Sequence, residues 1–483
     1  MQKYCILKLT ILQKNVKIKL TILQEFDDLK LTILRKGVSV VFKRKIYDKL
    51  LEWKQESAGR TALLIEGARR VGKSTVAEEF AKNEYKSYIL IDFSIASKEV
   101  KELFDDISNL NYIFLRLQLI FHVDLHERES VIIFDEIQLC PRARQAIKHL
   151  VKDHRYDYIE TGSLISIKKN VRDILIPSEE RKLYMFPMDY EEFLWATGNS
   201  ATPKLLADVF QARMPLGEAA HRQQMRDFRL YMLVGGMPQA VNEYLQTNNF
   251  RKVDLVKRDI LQLYEDDFRK IDASGKMSLI FDAIPAQLNS NASRYQVSSV
   301  LEGERAAQIL GLLADMADSK TIQIAYHAND PNVGLANTKD LQRFKLFLAD
   351  TGLFVTLIFK DKNFTENVIY EKLLSDKLRV NLGYVYENMV AQILTANGQA
   401  LYYHTFVNPQ TKRSYEVDFL SLKQNKLCPI EVKSSGYSIH KSLDAFAEKY
   451  SERIAEKYLV YTKDLKKDGD TLLLPIYLLP FLK

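Results

Sequence analysis

The stretch Gly-Ala-Arg-Arg-Val-Gly-Lys-Ser at residues 67–74 is the strongest pattern in this chain, because it has the form G-x-x-x-x-G-K-S. The apolar run at residues 61–65 precedes it and predicts a buried strand. An amphipathic stretch follows it, with Val76, Ala77 and Phe80 on one helical face. A strand, a glycine loop and a helix in this order predict a phosphate-binding loop. The alternative is an ordinary strand-to-helix turn that carries Gly-Lys-Ser by chance.

The residue types in this loop suit the chemistry of a nucleotide phosphate. Glycines let the backbone turn tightly, so that successive N–H groups point at phosphate oxygens, and the following helix adds its dipole. We predict that Lys73 contacts the β- and γ-phosphates of ATP and that the Ser74 hydroxyl ligates Mg²⁺. The predicted nucleotide-binding residues are Gly67, Ala68, Arg69, Arg70, Val71, Gly72, Lys73, Ser74 and Thr75.

A second motif is the apolar run at residues 131–134, which ends in Asp135 and Glu136. In a parallel sheet such a strand delivers both carboxylates to the carboxyl edge, where α/β folds bind ligands. We predict that Asp135 holds Mg²⁺, directly or through water, and that Glu136 orients and deprotonates the attacking water. The alternative is a buried strand followed by a solvated acidic turn.

A further predicted strand at residues 156–160 ends in Thr161, Gly162 and Ser163. We predict that hydroxyls at this strand end sense the γ-phosphate or the attacking water, and we assign Ser163 to the catalytic set. A plain strand-to-loop turn explains the same residues. Arg172 and Arg181 are the candidates for an arginine finger, which would stabilise transition-state charge, although each is also explained as a solvated arginine.

The composition limits the class of protein. A chain of 483 residues is long enough for about three domains, and 47% hydrophobic with 27% charged residues is typical of a soluble globular protein. The net charge of +7 permits nucleic-acid binding without requiring it. Three cysteines suit a reducing compartment, and a charge-free apolar run of about 18 residues is absent. We therefore expect a cytoplasmic protein that does not enter a membrane.

Residues 1–40 contain three copies of Lys-Leu-Thr-Ile-Leu, which begin at Lys8, Lys19 and Lys30 and so repeat every eleven residues. The β-branched core of the repeat favours an extended strand. Our preferred interpretation is a translated tandem DNA repeat that is not part of the globular fold, which would begin near Val41 or Phe42. The other interpretation is a β-appendage used for self-association.

Six segments together resemble the prokaryotic AAA-type ATPases that carry a restriction-endonuclease-like C-terminus. They are GARRVGKS at 67–74, VIIFDEIQ at 131–138, ETGS at 160–163, PMDYEEFLWATG at 187–198, YMLVGGMP at 231–238 and KLFLADTGL at 345–353. The resemblance covers residues 41–483. It implies an α/β fold with an additional-strand P-loop NTPase sheet of parallel strands, in which one strand lies between the two nucleotide motifs. It also implies the use of ATP.

The middle of the chain is predicted to be helical. Residues 202–224 are rich in charge and small side chains, so we expect a loose connection there, and the glycine pair followed by proline at residues 235–238 predicts the end of a helix. Residues 293–325 predict two helices and a short strand, which is similar to the winged helix-turn-helix module suggested for this family. Exposed basic or amide side chains are few in this segment, so a helical spacer is the open alternative.

The C-terminal part carries a third pattern. Glu387 lies in a helical stretch, Asp418 ends a strand, and Glu431 and Lys433 lie two residues apart on the next strand. On an alternating strand Glu431 and Lys433 point to the same face, where Asp418 can meet them. Two carboxylates and a lysine can bind Mg²⁺ and activate water for phosphodiester cleavage. The alternative is a hairpin with a solvated charged face.

This pattern resembles that of PD-(D/E)XK nucleases. The resemblance implies that Asp418 and Glu431 are metal ligands, that Lys433 activates water or stabilises charge, and that Glu387 supports them. Cleavage is a separate question, since a nuclease-like fold can persist as a binding or structural module.

The predicted organisation has four segments, and it leads to a prediction of function. The segments are the repeat at 1–40, an AAA-type ATPase domain at 41–200, a helical region with a winged helix at 201–370, and an α/β nuclease-like domain at 371–483. We predict an ATPase that uses ATP and Mg²⁺ and is coupled to DNA or RNA through its C-terminal part. The alternatives are a nucleotide-switched DNA-binding regulator without cleavage and an ATPase that acts on a protein partner. An arginine finger supplied in trans would imply a homo-oligomer.

Overall fold

The computed structural model describes residues 41–162, 178–290, 292–361, 370, 374, 383–408, 412–435 and 439–482. The repeats in residues 1–40, Ser163 and Arg172 lie outside these ranges. In the described ranges the helices are α1 (Ile46–Ser57), α2 (Lys73–Glu84), α3 (Lys98–Glu102), α4 (Leu110–Phe121), α5 (Pro141–Asp153), α6 (Tyr190–Ala196), α7 (Thr202–Ala212), α8 (Glu218–Val234), α9 (Pro238–Thr247), α10 (Phe250–Ile271), α11 (Lys276–Asn289), α12 (Leu310–Asp318), α13 (Thr351–Ile358), α14 (Gly383–Ala396) and α15 (Lys441–Tyr450).

The strands are β1 (Ala62–Glu66), β2 (Ser87–Asp92), β3 (Ser130–Asp135), β4 (Asp157–Gly162), β5 (Glu180–Tyr184), β6 (Ile322–Ala328), β7 (Lys339–Leu348), β8 (Tyr402–Val407), β9 (Ser414–Val417), β10 (Phe419–Lys423), β11 (Lys426–Val432), β12 (Lys457–Tyr461), β13 (Lys466–Asp468) and β14 (Thr471–Pro475). Short 3₁₀ helices lie between several of these elements. In the described ranges no helix combines the length and the apolar character that a membrane span requires.

The first sheet is parallel and has the strand order β2-β3-β4-β1-β5. Strand β4 therefore lies between β1, which leads into the glycine loop, and β3, which ends in Asp135. The register pairs Glu66 with Gly162 and Asp92 with Asp135, so these strands end at one common edge. This is the fold of P-loop NTPases with the additional strand that the resemblance implied.

Strands β1 and β3 are largely apolar and fully buried because both faces of the sheet are covered there. Successive side chains of a strand point to opposite faces. Leu63 packs in the core that contains α1 and α2, whereas Leu64 packs in the core that contains α4 and α5. Each fully buried leucine contributes about 1.5–3 kcal/mol, so the loops at the carboxyl edge stand on a rigid layer.

The prediction of a loose connection over residues 202–224 is wrong. Residues 202–212 form α7 and residues 218–234 form α8. Buried side chains such as Leu206 and Phe228 anchor these helices, and the ring nitrogen Nδ1 of His221 lies 2.9 Å from the hydroxyl of Tyr477. The charged residues that suggested a loose segment lie on the solvent-facing sides of these helices, as expected for amphipathic helices.

The glycine pair at residues 235 and 236 ends α8 as predicted, and it does so at a crowded place. Gly235 has a positive φ of 86°, which favours glycine. A Cβ atom on Gly236 would lie 2.1 Å from the carbonyl oxygen of Met188, and a Cβ atom on Gly352 would lie 2.4 Å from the Cα atom of Gly235. Three segments that carry the family resemblance therefore pack against each other here.

The second half of the chain builds two mixed sheets. In one, the antiparallel pair β6–β7 continues through a parallel pairing of β6 with β8 and then to β9, in the order β7-β6-β8-β9. The other has the order β10-β11-β12-β14-β13, and α15 packs against it through the buried ring of Phe446. The segment predicted as a winged helix, residues 293–325, contains two 3₁₀ turns, α12 and the start of β6.

Candidate nucleotide site and C-terminal acidic cluster

The glycine loop at residues 67–74 joins the end of β1 to the start of α2. Gly72 precedes the first turn of α2 with a φ of 97°, a conformation that a side chain would strain. A Cβ atom on Gly67 would lie 2.3 Å from the carbonyl oxygen of Met185. The two glycines of the pattern are therefore required by the backbone path and by close packing. Thr75, which we included in the predicted set, is exposed on the first turn of α2.

Lys73 is folded back into this loop. Its ammonium donates to the carbonyls of Gly67 and Ala68, at 3.0 Å each, and only 7% of the residue is exposed. Burial lowers the pKa of Lys73 to about 8, against the opposing effect of the Glu136 and Asp135 carboxylates. The lysine is thus held inside the loop, where a phosphate group would offer it a stronger partner than two carbonyls.

Asp135 lies at the end of β3 and faces the loop. Its Oδ1 accepts a hydrogen bond of 2.6 Å from the hydroxyl of Ser74 and another from the hydroxyl of Thr161. The structure therefore brings together the two predicted magnesium ligands of this site, which are 61 residues apart in the sequence. Thr161 lies at the same strand end as Ser163, which was the only hydroxyl residue there that we assigned to the site. The sequence pattern that indicated Ser163 therefore also indicated Thr161.

Glu136 follows Asp135 in a left-handed conformation, with a φ of 53°. Its side chain is partly exposed and accepts a hydrogen bond from the amide of Gln138. The backbone turn therefore separates the two neighbouring carboxylates, because Asp135 continues the strand and Glu136 leaves it. Such an arrangement allows one carboxylate to remain at Ser74 while the other faces solvent.

Arg44, which no sequence pattern indicated, supports the loop from outside. Its guanidinium donates to the carbonyl of Val71 at 2.8 Å and to that of Phe186 at 2.6 Å. It also forms an ion pair of 3.1 Å with Glu192 of α6, and both side chains are 6% exposed. A planar group with several donors can hold three partners in this way. The glycine loop is thereby tied to the segment at residues 186–192.

Helix α10 contacts the loop from another side. The hydroxyl of Tyr264 donates to the carbonyl of Arg69 at 3.1 Å, and the guanidinium of Arg69 pairs with Asp267 at 3.1 Å. These partners are nearly 200 residues from the loop, so no local pattern could identify them. Arg181, one of the two candidates for an arginine finger, lies on β5 and pairs with Glu56 at 2.7 Å.

The loop fits a nucleoside triphosphate with magnesium. The backbone N–H groups at the start of α2 suit an anion, Lys73 supplies a buried positive charge, and the oxygens of Ser74 and Asp135 are the hard ligands that Mg²⁺ prefers. The hydrogen bond between Ser74 and Asp135 shows that both oxygens reach the same place.

The C-terminal residues that the sequence singled out also meet. Glu387 lies on α14, Asp418 lies between β9 and β10, and Glu431 is the penultimate residue of β11. The ammonium of Lys433 lies 2.6 Å from Oε1 of Glu431, and Oδ2 of Asp418 accepts a hydrogen bond of 2.7 Å from the backbone of Val432. We call Glu387, Glu416, Asp418 and Glu431 the C-terminal acidic cluster.

The side chains of this cluster influence one another. Burial raises the pKa of Glu387 to about 7; Lys345 acts in the opposite direction, and the carboxylates of Asp418 and Glu416 add to the rise. Burial also raises the pKa of Glu431, again with Asp418 as a contributor. Carboxyls that share a site resist ionising together, so nearby positive charge stabilises the ionised form of the cluster.

In this structure lysines supply the positive charge beside the cluster. Lys345 of β7, which sequence analysis did not select, lies 2.5 Å from Oε1 of Glu416, and Lys433 pairs with Glu431. Within the described ranges, no group of three or more His, Cys, Asp or Glu side chains is arranged to hold a metal ion. The residues present therefore do not fit a metal ion in this arrangement, although the predicted ligands Asp418 and Glu431 are neighbours.

Three family models match parts of the chain. Residues 59–194 match a model described as an AAA domain. Residues 225–363 and 382–479 match two different models, each described as a domain of unknown function. No curated protein sequence matches the chain.

Several solved structures are similar at low identity. The Walker-type ATPase of Pyrococcus abyssi is 16% identical, with 66% of this chain and 96% of that chain covered and a TM-score of 0.40. The Orc1 protein of Aeropyrum pernix, solved in complex with DNA, is 11% identical, with 70% and 93% covered and a TM-score of 0.27. The RuvB Holliday junction branch migration motor of Thermotoga maritima is 13% identical, with 58% and 89% covered and a TM-score of 0.27.

The family match over residues 59–194, the parallel strand order and the glycine loop agree with each other. They identify this part of the chain as an AAA domain with the fold of P-loop NTPases.

Proposed function

We propose that this protein binds ATP with Mg²⁺ at the glycine loop and hydrolyses it to ADP and phosphate. The observation that carries the proposal is the hydrogen bond of 2.6 Å between Ser74 and Asp135, beside the buried ammonium of Lys73. A hydroxyl from the loop and a carboxylate from a different strand meet where the metal of a bound nucleotide would lie.

In this proposal each residue has a separate task. The backbone N–H groups from Gly67 to Thr75 surround the phosphates, and Lys73 exchanges its two carbonyl partners for phosphate oxygens. Ser74 and Asp135 hold Mg²⁺, which when bound supplies positive charge beside the β- and γ-phosphates. Glu136 positions the attacking water and accepts its proton. Ser163, assigned to sense the γ-phosphate, lies outside the described residues.

Binding and turnover can be tested separately. Calorimetry with ATP and Mg²⁺ should show binding by the parent protein and by the Glu136→Gln variant, whereas Lys73→Ala should lose it. Release of phosphate should be seen with the parent and should fall at least a hundredfold in Glu136→Gln, because a missing general base typically costs 10²–10⁴-fold. Absence of ATP binding by the folded parent would refute the proposal.

A second candidate function concerns the C-terminal acidic cluster. The convergence of Glu387, Asp418, Glu431 and Lys433 from separate elements supports a nuclease-like segment. The assignment of Asp418 and Glu431 as metal ligands, with Lys433 activating water or stabilising charge, requires these side chains to leave the arrangement described above, in which Lys433 pairs with Glu431. A nicking assay on DNA and RNA with Mg²⁺ or Mn²⁺ tests this, with Asp418→Ala and Lys433→Ala as variants. If no nucleic acid is cut, a binding or regulatory role is left for this segment.

The partner that ATP turnover serves is tested by stimulation. DNA, RNA and an unfolded protein are each added to the ATPase assay. We propose nucleic acid, so DNA or RNA should raise the rate; stimulation by unfolded protein alone would favour the alternative of an ATPase acting on polypeptide. Light scattering with and without ATP, in the same samples, shows whether copies of the chain assemble.

A further inference from the structure

The amide of Gln138 is bound to the carboxylate of Glu136, the residue proposed to accept the proton of the attacking water. Nε2 of Gln138 donates to Oε2 of Glu136. Gln138 is only 4% exposed, whereas Glu136 is partly exposed. A buried donor thus restrains a carboxylate that extends to the surface.

The backbone places Gln138 for this contact. Glu136 has a φ of 53°, a left-handed conformation that costs a residue with a side chain about 1–3 kcal/mol. The 3₁₀ turn Ile137–Leu139 follows it, and the N–H of Leu139 donates to the carbonyl of Glu136 at 2.9 Å. Ile137 is fully buried in the core that contains α4 and α5. Because Ile137 anchors the turn, the side chain of Gln138 reaches Glu136 from a fixed position.

The ammonium of Lys73 also attracts Glu136. Burial lowers the pKa of Lys73, and of the two carboxylates that oppose this effect Glu136 acts more strongly than Asp135. The ammonium nevertheless donates to two carbonyls of the glycine loop rather than to Glu136. A charged donor binds a carboxylate more strongly than a neutral amide does, so an unrestrained carboxylate would be drawn toward Lys73. The hydrogen bond from Gln138 opposes that attraction.

We propose that Gln138 is the positioning residue for Glu136: its amide holds Oε2 of the carboxylate and leaves Oε1 to accept the proton of the attacking water. The inference rests on the proposed hydrolysis of ATP. In that reaction the oxygen of water bonds to the γ-phosphorus while the bond from phosphorus to the β–γ bridging oxygen breaks. The electron pair of the broken bond leaves with ADP, and the proton of water passes to Oε1. A neutral amide orients this base without cancelling its charge.

The test compares turnover with binding in the full chain. Gln138→Met keeps the unbranched stem and loses the donor. The single-turnover rate of hydrolysis should fall about tenfold or more, since a small displacement of a catalytic group is costly. The dissociation constant of ATP with Mg²⁺, measured by calorimetry, should stay within about threefold of the parent value, because the residue is assigned no contact with phosphate.

A matched control is offered by Gln118 on α4 of the same domain. It is half-buried, and its Oε1 accepts a hydrogen bond of 2.8 Å from the N–H of Leu125. Gln118→Met therefore also removes a hydrogen bond of a glutamine, but in the connection that leads to the start of β3. This variant should keep the hydrolysis rate and the ATP affinity of the parent.

A second background separates positioning from a general structural role. Glu136→Gln has no carboxylate to position, so adding Gln138→Met to it should change the single-turnover rate by less than about twofold. The same large loss in both backgrounds would overturn the proposal, because Gln138 would then act on something other than Glu136. A rate for Gln138→Met equal to that of the parent would overturn it as well, and so would loss of ATP binding along with turnover.

Circular dichroism checks that the variants fold. If Gln138→Met does not fold, Gln138→Leu takes its place; failure of both to fold overturns the proposal, since a structural role would then explain this glutamine. The proposed ATPase is judged on the parent alone. A parent that neither binds nor hydrolyses ATP refutes that function, whereas a parent that hydrolyses ATP beside an equally active Gln138→Met refutes only the inference.

Discussion

Arg44 and Glu192 form a buried ion pair, with 3.1 Å between Nε and Oε2, and the same guanidinium donates to the carbonyl of Val71 in the glycine loop. The pair thus joins the residues that precede α1, the loop and α6. Because its environment is nearly dry, it is expected to matter more than a surface ion pair.

We predict that Arg44→Met lowers the free energy of unfolding by about 3–5 kcal/mol, because it leaves Glu192 buried without its partner. Arg44→Lys should recover little of this stability, since an ammonium cannot reproduce the planar guanidinium that donates to both Val71 and Phe186. Urea unfolding measures both variants. Arg60→Met is the control, because Arg60 is exposed and should change stability by no more than about 0.5 kcal/mol. A urea unfolding curve of Arg44→Met that matches the parent would contradict the prediction.

ATP binding should weaken as pH rises above 8. The pKa of Lys73 is lowered to about 8 in the absence of nucleotide, so the ammonium that would bind phosphate is lost above that pH. Linkage then predicts an apparent dissociation constant about tenfold larger at pH 9 than at pH 7, with proton uptake on binding near pH 8. Calorimetry in buffers of different ionisation enthalpy measures both. Lys73→Arg, which stays charged, should remove the pH dependence. If the pH dependence persists in this variant, it arises from another group.

The packing at Gly236 should tolerate no side chain. Gly236→Ala would place Cβ 2.1 Å from the carbonyl oxygen of Met188, and such overpacking costs about 1–3 kcal/mol or more. Gly311→Ala is a matched control, because a Cβ atom there meets nothing within 4 Å and alanine in a helix is better than glycine by about 0.5–1 kcal/mol. Thermal unfolding should therefore move in opposite directions for the two variants. Equal shifts would mean that the contact with Met188 relaxes freely.

Asp267→Asn should strengthen ATP binding a few-fold. The carboxylate of Asp267 pairs with Arg69 of the glycine loop and would repel a triphosphate there. The pair is partly exposed, so its loss should change stability by no more than about 1 kcal/mol. The effect on ATP affinity should shrink at high salt. Asp266→Asn is the control, because Asp266 instead faces Arg269, at 4.0 Å. Equal affinity in Asp267→Asn and the parent at low salt would speak against a role for this contact.

The parts of the fold that could be predicted from sequence are those that local patterns determine. Strand β1, the glycine loop and α2 are contiguous, and β3 is recognised as an apolar run that ends in Asp135. Even the meeting of Ser74 with Asp135 follows from the rule that parallel strands present their carboxyl ends at one edge. The convergence of Asp418, Glu431 and Lys433 likewise follows from alternation along a strand.

The parts that could not be predicted depend on contacts between distant residues. Arg44 meets Glu192 across 148 positions, and Lys345 meets Glu416 across 71. Neither lysine nor arginine shows in its own neighbourhood whether it will be buried. Helix α7 and the beginning of α8 were missed for a related reason, since exposed charges dominate the composition of residues 202–224 while the apolar side is completed by residues such as Tyr477 far along the chain.

The sheet β7-β6-β8-β9 determines where the chain can be truncated without breaking a sheet. A fragment that begins at residue 371 would lose β6 and β7, so that β8 would present an open row of N–H and C=O groups, which invites aggregation. The same cut would remove Lys345 and leave Glu416 without its partner. Grafting the C-terminal half onto another protein should therefore start before Ile322, so that the hairpin and its lysine travel together.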